Sequence, residues 1–280
     1  MPIDAHVHLA SPPLIENREK YLRGEEGLAA LYASPKAKMV GTAELLQNMA
    51  AEGVDRALVM GFPFQKEENA QSYNDWLLEE CARYPDKLLP LCAFDPRAPF
   101  AEKLAADFLE RGGFGLGELC VYDSPLSPPL IARLRALSLI CRNYDAPILV
   151  HVNEPLGHSY PGKAPIAPQE ILELVRETEG VKLILAHFGG GLPFWASLKK
   201  GVREHLARVR FDLAATPFIY SPSALKAGIA ILGPEYFLLG TDFPLLGYSR
   251  YLRFFQDAGL SPAEIGVIVE DNPRSFLGIT

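Results

Sequence analysis

The sequence has few cysteines, and they form no cluster. Its four cysteines stand far apart among 280 residues and make no CxxC pair: Cys81, Cys92, Cys120 and Cys141. This spacing excludes a zinc knuckle and a disulfide framework, and it favours a reduced, cytoplasmic setting. The N-terminal residues turn polar by the fourth position, so we expect no secretory signal peptide.

Long runs of charged or apolar residues are also missing. The 27 basic and 34 acidic side chains give a formal net charge of −7 without a long block of either sign, which argues against a nucleic-acid or anionic-membrane surface. No apolar run is long enough to span a bilayer. We therefore expect a small molecule as the partner, and the sequence leaves open whether the chain forms a homo-oligomer.

The chain does contain about eight short apolar runs that alternate with longer amphipathic segments, a pattern typical of βαβ units. Eight such units close a (β/α)8 barrel. No shift in composition divides the chain, so we predict a single TIM-barrel domain over residues 1–280. The predicted strands are 2–8, 56–61, 88–94, 115–121, 147–152, 181–187, 209–213 and 237–241.

Helix signals lie between these runs. Ser127 and two prolines open an apolar stripe of helical spacing, and Ser261-Pro262-Ala263-Glu264 resembles a capping box. Two loops, 9–41 and 153–167, are longer than a strand-to-helix connection needs and follow strand ends, where barrel active sites are built. The further helices that we expect are 42–52, 67–84, 100–111, 168–178, 193–207, 221–231 and 249–258.

Two histidines end the first predicted strand. His6 and His8 are two residues apart, so their side chains leave the same face of the strand and both can point into the barrel mouth. Imidazole nitrogen is a common ligand for zinc and related ions. A lone HxH pair is still a weak signal for a metal site.

Other polar groups strengthen the signal for a metal site, because each lies at the end of an apolar strand and so at the same rim of the barrel. The six metal-competent groups are His6, His8, Glu118, His151, His187 and Asp242. Glu118 has two alternative interpretations, an ion pair with Lys163 or a buried carboxylate facing a helix. The remaining histidines, His158 and His205, fall in a loop and a helix, and we interpret them as surface residues rather than ligands.

The ordered set of these motifs resembles a known family. Asp4-Ala5-His6-Val7-His8, His151, His187 and Gly240-Thr241-Asp242-Phe243-Pro244 resemble the amidohydrolase-related metal-dependent hydrolases. The resemblance is closest to the branch that contains the aminocarboxymuconate-semialdehyde decarboxylase type of enzyme. It covers nearly the whole chain, and residues 271–278 resemble the Asn-containing helix that closes these barrels.

The resemblance implies a set of ligands. His6, His8, His151 and Asp242 would bind the metal, and His187 would lie beside the bound water or on a second metal. Gly117-Glu118 is similar to the bridging glutamate of TatD-like hydrolases, which implies a binuclear site. The expected ion is zinc, with one or two ions per chain.

Three functions remain open on this basis. We favour hydrolysis of a small ester, lactone, amide or phosphoester, because a metal lowers the pKa of bound water from about 15.7 to about 7. Asp242 would then transfer the proton and His187 would stabilise the oxyanion. The alternatives are non-oxidative decarboxylation of an aromatic or unsaturated acid, for which Arg18, Arg23 and Arg250 are candidate carboxylate ligands, and a metal-binding scaffold without turnover.

The loop after the fifth strand is a candidate substrate lid, since long polar loops at barrel mouths often carry function. Its polar side chains are therefore candidate substrate contacts, and an aromatic residue after the second strand joins them. The predicted substrate-binding residues are His158, Tyr160, Lys163 and Phe62.

Overall fold

The computed structural model describes residues 1–279 of the chain, and its eight strands are parallel neighbours in one sheet, in chain order. The Ala5 amide donates to the Leu239 carbonyl at 2.8 Å, which joins the first strand to the end of the last one. The predicted (β/α)8 barrel is therefore confirmed. The strands are β1 Ile3–His8, β2 Arg56–Met60, β3 Leu88–Cys92, β4 Gly115–Leu119, β5 Pro147–Val150, β6 Lys182–Leu185, β7 Val209–Asp212 and β8 Phe237–Leu238.

Helices connect the strands, and most predicted ones differ from the structure by one to three residues at their ends. The capping box is confirmed, because the Glu264 amide donates to Ser261 Oγ while the Ser261 amide donates to the Glu264 carboxylate. The helices are Pro12–Glu16, Arg18–Leu22, Glu26–Tyr32, Thr42–Glu52, Glu67–Cys81, Ala101–Glu110, Pro128–Asn143, Pro168–Glu177, Ala186–Gly189, Leu192–Trp195, Thr216–Ile219, Pro222–Leu232, Tyr248–Asp257, Pro262–Gly266 and Asn272–Leu277. Short 3-10 turns occupy Arg203–His205 and Pro234–Tyr236, and a π-helical turn occupies Val267–Asp271.

Two expectations are wrong. The predicted helix 193–207 is only the single turn Leu192–Trp195 followed by the separate 3-10 turn Arg203–His205, because Gly201 between them takes a left-handed φ of 103°. The predicted loop 9–41 contains three short helices. Leu14 and Leu28 on these helices are fully buried, so apolar packing against the barrel orders this segment.

The barrel interior is packed at the end opposite to the predicted site. Asn272 Nδ2 donates to the Phe237 carbonyl at 2.7 Å, which fixes the C-terminal helix against β8. Within residues 1–279, no helix is both long and apolar enough to cross a membrane. The inner cluster is built from Ile3, Ala5, Leu58, Met60, Leu91, Leu149, Ile184, Ala186 and Leu238, closed by Phe276, Leu277 and Ile279.

Candidate metal centre and substrate pocket

A bulge in β1 aims its two histidines at the barrel mouth. Ala5 packs in the inner cluster, yet His6 also points inward, and the pairing of β1 with β2 is irregular between Asp4 and Val7. Bulges of this kind re-aim side chains next to functional sites. As a result the Nε2 atoms of His6 and His8 lie only 3.2 Å apart.

The outer ring nitrogens of these histidines are already occupied. His8 Nδ1 lies 2.9 Å from the Gly61 carbonyl and His187 Nδ1 lies 3.0 Å from the Ala214 carbonyl. A carbonyl only accepts, so in both rings Nδ1 carries a hydrogen, and in the neutral ring the lone pair is on Nε2. Where the Nε2 atoms of His6 and His8 meet, they need a proton or a metal ion between them.

Glu118 lies at the centre of the donor cluster. Its Oε1 is 2.9 Å from His151 Nδ1 and 3.4 Å from His187 Nε2. Its carboxylate is also 3.9 Å from His6 Nε2 and 3.8 Å from His8 Nε2. Two donor triads therefore share Glu118, and within each of them the ligand atoms lie within 4.8 Å of one another. The donor set fits a divalent metal ion, since imidazole and carboxylate are both ordinary metal ligands.

The interpretation of Glu118 as the partner of Lys163 is wrong. Lys163 pairs with Glu154 at 2.7 Å instead. The reason lies in β4, where Gly117 has a φ of 145° and a Cβ built on it would lie 2.7 Å from the Leu149 side chain. This close approach to β5 turns Glu118 into the barrel.

Asp242 stands at the open side of the cluster. It follows β8 with a left-handed φ of 57°, and its amide donates to the His6 carbonyl at 2.9 Å. One carboxylate oxygen lies 3.5 Å from His8 Nε2. The Asp242 side chain is 17% exposed and that of Glu118 is 4% exposed, so Asp242 is the carboxylate that a bound molecule can reach.

A cavity of about 650 Å³ opens above the donors. Among residues 1–279, Arg18, Arg23 and Arg250 do not line it, so no arginine serves as the expected carboxylate ligand. Its walls combine aliphatic side chains with four aromatic ones, and its basic groups are lysine and histidine. The lining includes His8, Glu118, His151, His187 and Asp242 at the base, with Tyr32, Tyr122, Tyr160, Phe218, Lys36, Lys38 and His158 around them.

The predicted substrate contacts divide into two pairs. His158 and Tyr160 line the cavity. Phe62 lies behind His8, with the two rings stacked at 5.6 Å and 10°, and Lys163 is engaged within its own loop. Phe62 and Lys163 therefore lie outside the cavity wall.

The amidohydrolase family model matches residues 3–279. The chain belongs to the amidohydrolase family. This confirms the family that the motifs suggested, and with it an enzyme of that superfamily. A search of curated proteins gave no match.

Solved structures of decarboxylases share the barrel of this amidohydrolase. One is 2,6-dihydroxybenzoate decarboxylase from Rhizobium, at 19% identity and a TM-score of 0.67, with 99% of this chain and 98% of that chain covered. Another is 5-carboxyvanillate decarboxylase from Sphingomonas paucimobilis, at 16% identity and a TM-score of 0.71, with 100% of this chain and 99% of that chain covered. A third is 5-carboxyvanillate decarboxylase from Novosphingobium aromaticivorans, complexed with manganese. It has 15% identity and a TM-score of 0.73, with 99% of this chain and 96% of that chain covered. At these identities the likeness shows the fold.

Two buried carboxylates of the amidohydrolase support the donors and were missed in the sequence. Asp212 ends β7, and its carboxylate lies 2.9 Å from His6 Nδ1 while accepting from the His187 amide at 3.0 Å. Asp4 accepts from the amides of His6 and Thr241 and from the Thr241 hydroxyl. The signal that found the other donors, an ionisable group at a strand end, also applies to Asp212.

The buried carboxylates shift the ionisation of the histidines. Burial opposes protonation of His6, but Asp212, Glu118 and Asp242 outweigh it and raise the pKa of His6 to about 10. Burial likewise opposes the charge on His187, whose pKa rises to about 9 because of Glu118 and Asp242. The cluster therefore attracts positive charge, either as protons or as a metal ion.

Proposed function

We propose that this amidohydrolase is a metal-dependent, non-oxidative decarboxylase of an aromatic or unsaturated carboxylic acid. The observation that carries the proposal is the position of Asp242, whose carboxylate lies directly beside the metal donors and faces a cavity that four aromatic side chains help to line. The decarboxylase names of the three structural neighbours support it. Decarboxylation thus takes precedence over the hydrolysis that the sequence analysis favoured.

The cavity suits a planar acid. Its volume of about 650 Å³ lies in the usual range of roughly 300–1,000 Å³ for small-molecule sites. The rings of Tyr32, Tyr122 and Phe218 line it, and aromatic faces pack well against a flat ring. Burial, together with Cys120 and Glu118, raises the pKa of Tyr122, so its hydroxyl stays protonated and can donate to an oxygen of the substrate.

His6, His8 and Glu118 would hold the metal, with Asp242 beside them. A bound divalent ion would supply positive charge that orients the substrate carboxylate and offsets negative charge developing on the ring. Zinc and manganese both accept this mixture of imidazole and carboxylate ligands. The manganese in one neighbour makes that ion as suitable a candidate as the zinc expected from the sequence.

Asp242 has the position of the proton donor. When the bond to the carboxylate breaks, its electron pair stays on the ring carbon and carbon dioxide leaves, so that carbon must gain a proton. Asp242 is the more exposed of the two carboxyl groups that line the cavity beside the donors, so it is the one placed for general acid catalysis. Solvent returns the proton to Asp242 through the open side of the cavity.

Release of labelled carbon dioxide tests the proposal. The metal-loaded protein is incubated with carboxyl-labelled 2,6-dihydroxybenzoate and 5-carboxyvanillate, and the gas is measured by mass spectrometry. We expect labelled carbon dioxide from at least one acid, and its loss after chelation and in Asp242→Asn. Turnover of esters or lactones without any labelled gas would contradict decarboxylation.

Hydrolysis is the second candidate, because the two donor triads share Glu118. A shared carboxylate can hold two ions, and paired metals suit the activation of water and the clamping of a leaving group. In this reaction Asp242 would take a proton from water and His187 would stabilise the oxyanion. Two ions per chain, falling in Glu118→Ala, together with hydrolysis of a lactone or phosphoester would favour this candidate.

A further inference from the structure

The segment of residues 153–164 after β5, which we call the β5 arm, is closed at its base. Asn153 is fully buried. Its Nδ2 donates to the Ala164 carbonyl at 2.9 Å, and its Oδ1 accepts from the Ala164 amide at 2.8 Å. These two buried hydrogen bonds hold the ends of the arm together, so the arm is a closed loop rather than a free strand of chain.

Lys163 fills the inside of the β5 arm. Its Nζ lies 2.7 Å from Glu154 Oε1, 2.7 Å from the Leu156 carbonyl and 3.2 Å from the His158 carbonyl. An ammonium group has three N–H donors, and these three acceptors use all of them. The Lys163 and Glu154 side chains are only 13% and 14% exposed. Lys163 therefore has no donor left for a substrate.

Tyr160 is held by the same pair. Its hydroxyl donates to Glu154 Oε2 at 2.8 Å, and Lys163 Nζ lies 5.4 Å from the centre of its ring, within the range of a cation–π contact. Burial and the neighbouring Glu154 raise the pKa of Tyr160, so the hydroxyl remains a donor. The arm thus offers the cavity the ring of Tyr160 and the imidazole of His158.

The β5 arm also rests against the opposite wall of the cavity. Gly162 has a φ of 90°, and a Cβ built there would lie 2.9 Å from the Leu31 side chain. Leu31 belongs to the helix Glu26–Tyr32, and Lys36 follows it at the cavity rim. Among residues 1–279, Lys38 forms an ion pair with Glu44 while Lys36 has no acidic partner within ion-pair distance. Lys36 and His158 are therefore the rim groups able to receive an anion.

We propose that Glu154 and Lys163 form an internal brace of a preformed β5 arm, and that His158 on this arm, with Lys36, recognises a second anionic group of the substrate. Lys163 is then a positioning residue and His158 a specificity-determining one. The recognition part rests on the proposed function, because it takes the substrate to be a planar acid bound at the donors by its first carboxylate. The preferred substrate class is accordingly an aromatic or unsaturated diacid.

The experiment compares two acids and four variants of the metal-loaded protein. The diacid probe is 5-carboxyvanillate and the monoacid probe is 2,6-dihydroxybenzoate, with affinity measured by calorimetry. Amide hydrogen exchange reports on the β5 arm. Lys163→Met removes the brace, His158→Ala removes only the rim contact, and Lys226→Met removes an exposed ion pair with Glu264 at 3.2 Å as a matched control.

We expect the wild type to bind the diacid more tightly. Lys163→Met should speed exchange of the arm amides by about tenfold and weaken diacid binding by about tenfold, a change of about 1.4 kcal/mol. His158→Ala should weaken diacid binding without changing exchange, and Lys226→Met should do neither. Glu154→Gln, which keeps the side-chain shape, should shift exchange in the same direction by a smaller factor.

Several results would overturn the inference. Unchanged exchange of the arm amides in both Lys163→Met and Glu154→Gln would show that Glu154 and Lys163 do not brace the β5 arm. Equal affinity of the wild type for the two acids, or equal diacid affinity of the wild type and His158→Ala, would contradict the anion recognition. Tight diacid binding that depends on His158, without release of labelled carbon dioxide, would support the recognition while contradicting the proposed decarboxylation.

Discussion

At the scale of single residues, the donors are oriented by groups that do not themselves bind metal. His6, His8 and His187 each place Nδ1 on a carboxylate or a backbone carbonyl. Such outer partners fix the tautomer and raise the basicity of the ligating nitrogen. Asp212 has two such contacts, since its carboxylate lies beside His6 Nδ1 and also accepts from the backbone amide of His187.

Asp212→Asn should therefore weaken metal binding by about 10- to 100-fold while the barrel still folds. The amide keeps the shape of the side chain but loses the charge that supports His6. Competition with a chelator of known affinity measures the change. Asp145→Asn is the matched control, because Asp145 is an exposed partner of Lys182 and Arg208 away from the donors. Equal metal affinity in Asp212→Asn and the wild type would contradict the role of Asp212.

Protons should leave the cluster when metal enters. The pKa of His6 is raised to about 10 and that of His187 to about 9, so both rings are protonated at pH 7.5 in the metal-free protein. The protonated rings stabilise the folded, metal-free protein. This contribution to the free energy of unfolding is fully present below the ordinary histidine pKa of 6.5 and is lost as pH rises through 9 to 10.

Metal must displace these protons, so its apparent affinity should rise with pH up to about 10. Calorimetry of manganese or zinc binding at pH 7.5, in buffers of different ionisation enthalpy, counts the protons released. We expect at least one per chain. A binding heat that is independent of the buffer would show that the histidines are already neutral.

At the scale of elements, β4 presents Glu118 because its neighbour is glycine. Gly117→Ala should destabilise the protein by roughly 3 kcal/mol or more, since it adds both a strained φ and an overlap with Leu149. Urea unfolding measures the loss. Gly259→Ala separates the two causes, because Gly259 has a φ of 66° but open space around it and should lose only about 1 kcal/mol. Equal losses in the two variants would show that the approach to β5 is unimportant.

The sequence predicted the barrel, and it selected six ionisable groups that the structure brings together, because apolar strands end where polar groups begin. It could not predict the bulge that turns His6 inward, since side-chain alternation alone would separate His6 from Ala5 by one face. Asp212 was passed over although it lies near the end of the predicted strand 209–213, where the same signal applies. The helices within 9–41 were missed because their apolar residues pack against the barrel rather than following one long helical period.

At the scale of the whole molecule, the donors come from β1, β4, the ends of β5 and β6, and the turn after β8. An ion held by them would connect parts of the chain that are far apart in sequence, from β1 to the turn after β8. Because the unfolded chain lacks this arrangement, metal at about 1,000 times its dissociation constant should stabilise the fold by about 4 kcal/mol.

For a chain of this length that stabilisation corresponds to a rise of about 8 °C in Tm. Differential scanning calorimetry before and after chelation measures it. His6→Ala/His8→Ala is the control, and its Tm should not respond to added metal. A wild-type Tm that is insensitive to chelation would argue that the cluster holds only protons.

Both proposed reactions require that the donor cluster holds a divalent metal. Elemental analysis of protein purified without added metal or chelator tests this, run on the wild type, His6→Ala/His8→Ala and Lys226→Met. We predict at least one divalent ion per chain in the wild type and in Lys226→Met, and a loss of metal in the double variant. A wild type without metal, even after incubation with manganese and zinc, would contradict a metal-dependent function.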